Sequence, residues 1–358
     1  MPFDDRALPT GSLPSRAVSA RQVSNWLLAV CAMLLVMIML GGATRLTGSG
    51  LSIMEWAPLS GALPPVSEAE WNRLFALYQQ IPQYKLLNQG FGLDGFKEIF
   101  WLEWIHRLWG RLIGVVFLLP MLWLWWRGAL KGIFGRLALF FVLGGLQGAV
   151  GWFMVASGFL ADSTKVSAYR LVIHLTMALA LYAAIFWTAL SLRGSARRDA
   201  GPASGPLRRL AWAGLFLAGL TIIAGGFVAG THAGLSYNTF PLMDGALVPT
   251  GYADLSPFFL NWFETIPAIQ FDHRLLATLT AIVAMACFFQ AVRRGTPSHV
   301  RKAAGLLAVL VLLQYVLGVT TLLLVVPTLT AVMHQGMAVL VLSGALILVH
   351  AVRPGQGS

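Results

Sequence analysis

Four histidines interrupt long apolar stretches of this 358-residue chain: His106, His174, His273 and His334. An ionisable side chain inside such a stretch is costly in a membrane and points to function. These four form an ordered set. His106-Arg107-Leu108 recurs 167 residues later as His273-Arg274-Leu275, and His174 recurs 160 residues later as His334. Two imidazoles on facing helices can hold one haem iron from both sides, and the core of a four-helix bundle is a natural cofactor site. The two-plus-two pattern therefore reads as two haem sites, with all four histidines as axial iron ligands. A single intramembrane histidine is equally well explained by a structural hydrogen bond or a proton relay, but that account does not explain the duplication. Zinc is the weaker metal reading, because no cysteine or clustered acid completes a tetrahedral set.

The neighbours of these histidines differ between the two halves. Glu103 precedes His106 by three residues, so the two share a helix face; the corresponding residue before His273 is Gln270. A carboxylate beside an iron ligand can move protons or stabilise a developing positive charge. The alternative is an interfacial acid favoured by a helix N-terminus. Arg107 and Arg274, with Arg45 and Arg170 nearby, carry planar donor forks suited to the propionates of haem; snorkelling of their charges to the interface explains them equally well. His232 replaces Gly48 in the repeat and reads as a loop hydrogen-bonder, while His299 and His350 read as solvated.

The elements that must position these groups are legible from composition. The chain is 57% hydrophobic and 11% charged, too apolar for an ordinary soluble domain. Apolar blocks at 24–44, 104–126, 134–156, 168–192, 208–230, 272–292, 302–325 and 329–350 each have about the length that crosses a bilayer core. Unbroken blocks of this length are helices, since lipid leaves the backbone to satisfy itself. Each of the four histidines then falls in the first two turns of an even-numbered helix, within about 9 Å of its start. Lys and Arg gather in alternate loops, with none between Thr231 and Phe271. The positive-inside rule places both termini in the cytoplasm and the histidines near the periplasmic face. Topology accounts for the net charge of +11 better than nucleic-acid binding does. Residues 1–22 lack the apolar core of a cleavable signal, which leaves the first helix as an uncleaved one. Cys31 and Cys287, both inside apolar blocks, read as small buried hydrophobes. The long loops at 44–103 and 231–271 would roof the sites, and Trp71–Gln80 reads as an amphipathic helix within the first.

The halves repeat. GGATRLTGSGLS at 41–52 aligns without a gap to GGFVAGTHAGLS at 225–236, and Gln147 and Gly151 recur as Gln314 and Gly318. The expected fold is an all-α polytopic membrane protein: eight transmembrane helices as two tandem four-helix bundles. An even number of helices per unit gives both the same orientation, related by a pseudo-two-fold axis along the membrane normal. The organisation is a tail at 1–23, a first unit at 24–193, a Gly/Ala/Pro-rich linker at 194–207, a second unit at 208–350 and a tail at 351–358.

The segments GGATRLTGSGLSIMEW, EWIHRLWGR, GGLQGAVGW, VIHL, GGFVAGTHAGLSYNTFPLMDG, FDHRLLAT and MHQGMAV together resemble the haem A synthase family along essentially the whole chain. Some members carry a cysteine pair in the first outer loop. This chain lacks it and resembles the cysteine-free proteobacterial and mitochondrial branch. The resemblance implies conversion of haem O to haem A by oxidation of the C8 methyl to a formyl group, through two hydroxylations and loss of water. It implies a resident haem b on His273 and His334. Haem O as substrate would then lie at His106 and His174, with Glu103 beside it. An inner-membrane location follows, with haem O and haem A as ligands. The expected partners are a haem O synthase, oxidase assembly factors, an unidentified electron-transfer protein and a second copy of the chain. Two other readings stand beside it. A di-haem b cytochrome that only transfers electrons would not need the Glu103/Gln270 difference. A repeat-built transporter would more typically carry broken helices with polar residues near the midplane.

Overall fold

The computed structural model describes residues 15–160, 163–193, 205–293 and 295–353, with side chains from residue 20 onward. Eight of its helices are long and apolar enough to cross a membrane. They are α1 (Ser15–Leu46), α2 (Leu93–Trp126), α3 (Phe134–Val155), α4 (Ala168–Arg193), α5 (Gly205–Thr231), α6 (Ile266–Ala291), α7 (Ser298–Leu323) and α8 (Thr328–Ala351). The described residues hold no β-strand, only an isolated bridge between Met243 and Ala246. The chain is an all-helical, multi-pass membrane protein.

Each half closes as a ring. α1 packs on α2, α2 on α3, α3 on α4 and α4 on α1; α5 to α8 repeat the same circuit. The halves meet through α1 on α8, α4 on α5 and α4 on α8. Exchanging the first four helices for the last four maps this set of contacts onto itself, as a two-fold relation requires. The first bundle is cored by residues such as Leu27, Val30, Leu137 and Ile185, and the second by Leu207, Cys287, Ala304 and Leu348. Cys31 and Cys287 are buried free thiols. At the seam between halves Tyr182 on α4 and Ser343 on α8, both buried, share a hydrogen bond of 2.7 Å. Small residues let the backbones approach there: a Cβ on Gly230 of α5 would lie 2.8 Å from the Cα of Ala168 on α4.

Two helices run past their apolar blocks. α1 begins at Ser15 rather than at 24. α2 begins at Leu93, eleven residues ahead of its block (104 − 93). The added turns are mixed in polarity, so hydropathy alone does not place them in a helix. They form because Phe96 and Phe100 pack against Trp71, Tyr78 and Leu74 of the first loop. The amphipathic loop helix runs from Glu68 to Tyr78, and its N-terminus is set by Ser67, whose hydroxyl accepts from the Glu70 amide at 3.2 Å. This is half of the capping-box pattern read three residues ahead. Of the linker at 194–207, residues 194–204 lie outside the described residues, and Gly205–Leu207 already belong to α5. Residues 1–14 and 354–358 of the two tails also lie outside them.

Candidate haem-binding site

The four histidines sit on α2, α4, α6 and α8, diagonally across the two rings. Three lie six or seven residues after their helix starts. His106 does not: it lies thirteen residues into α2 (106 − 93), because α2 is extended as described, so the expectation of a place in the first two turns fails for it. Glu103 is therefore well inside the helix, and the dipole at a helix N-terminus does not account for it.

Each imidazole rests on a glycine of a neighbouring helix. A Cβ placed on Gly41 would lie 3.2 Å from His106 Nε2. On Gly151, Gly225 and Gly318 it would lie 2.9, 2.9 and 2.7 Å from the Cε1 atoms of His174, His273 and His334. Any larger residue would push the ring aside. The four seats obey the repeat, Gly41 answering to Gly225 and Gly151 to Gly318. Sequence comparison of the halves pairs these glycines. It leaves their role unread, because an aligned glycine does not say which side chain lies across from it.

The second pair of rings leaves room for a metal ion between them. The rings of His273 and His334 stand with centroids 6.5 Å apart and planes at 87°. A metal ion bonded to one nitrogen of each ring at about 2 Å would fit within that separation. His273 Nδ1 lies 3.0 Å from the Thr221 carbonyl oxygen. A carbonyl only accepts, so Nδ1 carries the proton and Nε2 is left as the ligand nitrogen. His334 Nδ1 is buried without a partner, as are Gln314 Oε1 and Gln147 Oε1. Orphaned buried polar atoms at repeat-equivalent places fit a site built for a further group. In the first half Gln147 Nε2 lies 3.1 Å from His174 Nδ1 and donates to the His174 carbonyl at 2.6 Å. Among the described residues no hydrogen bond holds either ring nitrogen of His106.

Above the histidines lies a latch that the repeat also duplicates. Arg107 donates to the carbonyls of Ile53 and Glu55 at 2.8 and 2.7 Å. Arg274 donates to those of Tyr237 and Thr239 at 2.6 and 2.9 Å. Residues 53 and 55 become 237 and 239 by the same shift of 184 that relates the loops. Both arginines therefore hold down the chain that leaves α1 or α5. Arg107 also ion-pairs with Glu103 at 2.5 Å, and Arg274 bonds Gln270 Oε1 at 2.6 Å. Glu103 is 2% exposed and its other oxygen accepts from Ser52 Oγ at 2.7 Å and the Ile53 amide at 2.9 Å. Gln270 works in the opposite sense, donating to the carbonyls of Ala233 and Ser236 at 2.7 and 2.5 Å. The acid-for-amide difference is thus a reversal of hydrogen-bond polarity at one latch position. The roof beyond it is pinned by Arg73, which chelates Glu55 and Glu70 and holds both carboxyls below their usual range.

The remaining candidates part company. Arg45 donates to the Ala229 carbonyl at 2.8 Å, which is its own repeat equivalent (45 + 184), and so lies where the halves meet. Among the described residues no carboxylate pairs with it. Arg170 is spent on the Phe153 carbonyl at 2.8 Å and on that residue's ring. His232 is exposed, in a left-handed conformation (φ 60°) where Gly48 has φ 69°. His350 packs edge-on against Trp187 rather than standing in solvent.

Comparison with known proteins adds to this geometry. The family model described as cytochrome oxidase assembly protein matches residues 24–346. The chain is 61% identical over 332 residues to a protein of Granulibacter bethesdensis named Heme A synthase, covering 92% of this chain and 87% of that one. Heme A synthase of Rhodospirillum centenum is 50% identical over 96% of this chain and 92% of its own length. Heme A synthase 2 of Acidiphilium cryptum is 44% identical over 92% and 90%.

Proposed function

This chain belongs to the haem A synthase family, and we propose that it oxidises the C8 methyl of haem O to the formyl group of haem A, for use by terminal oxidases. The reading rests on one arrangement above all: a pair of glycine-seated histidines in each of two equivalent bundles, with an acid above one pair and an amide above the other. His273 and His334 would hold a resident haem b, which would supply a path for electrons. His106 and His174 hold the substrate.

Turning a methyl into a formyl with an oxygen from water releases four electrons and four protons, and the electrons would have to pass to an acceptor outside this chain. With both His106 and His174 on the substrate iron, water is the oxygen source that needs no vacant place there. Glu103 then acts through its charge. Its oxygens are held by Arg107, Ser52 and Ile53, and a fixed carboxylate one turn from His106 favours positive character on the substrate without reorganising. Arg107 and Arg274 hold the loops that close over the sites. Arg45, at the junction of the halves with no carboxylate partner, is the arginine placed for a haem propionate. Basic residues Arg127, Arg136, Arg193, Arg209, Arg301 and Arg353 at one end of the helices support a cytoplasmic end there and sites near the periplasmic face.

The test is to purify the protein from cells that make haem O and to identify its extracted haems by chromatography and pyridine-haemochrome spectra. Haem B together with haem O or A is expected. Haem B alone would favour a plain cytochrome, and no haem would overturn the assignment of the histidines.

A further inference from the structure

The two bundles differ at one seam. A planar ring held by His106 on α2 and His174 on α4, at opposite corners of the first bundle, would turn its edges toward α1 and α3. α1 packs on the other bundle, whereas α3 is the outermost helix. Its only buried residues, Leu137 and Phe140, lie in its first two turns. The outer remainder, Phe141 to Val155, buries none, while the matching part of α7 buries Ala308, Val311 and Thr321.

Residue exchanges under the repeat explain the difference. Gly144 and Gly148 of α3 become Val311 and Tyr315 of α7, and Arg111 of α2 becomes Thr278 of α6, all at the shift of 167 that relates His106 to His273. In the second bundle Tyr315 spans the seam: its hydroxyl meets Thr278 Oγ1 at 2.9 Å, and Phe240 caps its ring edge-on with centroids 6.2 Å apart. In the first bundle a Cβ on Gly148 or Gly145 would meet nothing within 4 Å, and one on Gly144 would meet only Leu181 Cδ2 at 4.0 Å. Arg111 is turned away to the carbonyls of Pro58 and Ala57.

We propose that the α2–α3 seam at Gly148 is where the long isoprenoid chain of haem O leaves the first bundle, and that Tyr315, tied to Thr278, excludes such a chain from the second. The inference rests on the assignment of haem O to the first half. Haem O differs from haem b by that chain, which is apolar and gains nothing by entering a protein pocket when lipid lies beside it. An open seam lets the ring be held by His106 and His174 while the chain stays in the bilayer. A closed seam admits only the haem without one. Gly148 and Tyr315 are specificity-determining residues on this account, and neither touches the reacting methyl.

Full-length Gly148→Tyr, purified from cells that make haem B and haem O, tests the first part. Haem O plus haem A per protein should fall at least about tenfold, with haem B unchanged, which also reports folding. The second part needs no added bulk. His174→Ala should carry haem B alone, and His174→Ala/Tyr315→Gly should carry haem O as well. Unchanged haem O in Gly148→Tyr, or haem B alone in the double variant, overturns the seam. Loss of haem B rather than haem O in Gly148→Tyr overturns the assignment of the halves instead.

Discussion

Glu103→Gln is the sharpest single perturbation, because the structure states what the amide cannot do. Glu103 faces donors on both sides: the Arg107 guanidinium on one oxygen, and Ser52 Oγ and the Ile53 amide on the other. Glutamine has one acceptor oxygen, so either rotamer turns its NH2 toward donors. Arg107, with a side chain 16% exposed, also loses its counter-charge. Breaking a buried pair in this way costs about 3–5 kcal/mol. The cost falls on the latch between α2 and the loop at 52–55 rather than on the bundle, whose core lies elsewhere. At about 1.4 kcal/mol per factor of ten, the loop should open on the order of a hundred to a few thousand times more often. Limited proteolysis of detergent-solubilised protein measures this as an equally faster cleavage within residues 47–92, with haem B still bound. Haem O or a hydroxylated intermediate should accumulate. Cleavage and haem A yield both at the parent level would refute the latch and the charge together. Ser52→Ala separates them. It removes one donor, should raise cleavage by about a factor of ten as loss of a hydrogen bond to a charged group, and leaves the carboxylate in place to act.

Further outcomes follow from the same geometry. His273→Ala or His334→Ala should abolish haem B, and His106→Ala or His174→Ala should abolish haem O retention while haem B remains; pyridine-haemochrome spectra of extracts check each. Gly225→Ala and Gly318→Ala place a methyl 2.9 and 2.7 Å from an imidazole carbon. Both should lower haem B occupancy at an overpacking cost of about 1–3 kcal/mol, read as reduced haem B per protein with normal helicity. At the seam, a Cβ on Gly42 would collide with the Gln335 side chain, whose Nε2 donates to the Ile38 carbonyl at 2.8 Å. Gly42→Ala should therefore lower the melting temperature, and Gln335→Ala should restore it in the double variant; simple additivity in that cycle would show the contact to be unimportant.

The four histidines and Glu103 stand out as candidates in the sequence itself. An imidazole inside an apolar helix is too costly to be incidental, and a sequence repeat doubles the signal. Helix number, the two-bundle organisation and the pairing of His106 with His273 and His174 with His334 all follow from apolar block length and internal alignment. The start of α2 did not. Its first eleven residues are helical because Phe96 and Phe100 meet aromatic partners from residues 71–78, and no hydropathy window contains that contact. Type and position beside the histidines suit the arginines equally to haem propionates and to snorkelling. Tertiary structure turns Arg107 and Arg274 onto loop carbonyls about 50 and 35 residues away, because buried carbonyls of an irregular loop must find donors. The same applies to Glu103. Sequence establishes that one half has an acid where the other has an amide. Only the fold shows that both side chains accept from an arginine, while the acid's second oxygen accepts where the amide nitrogen donates, since a side chain's partners are set by what folding brings across from it.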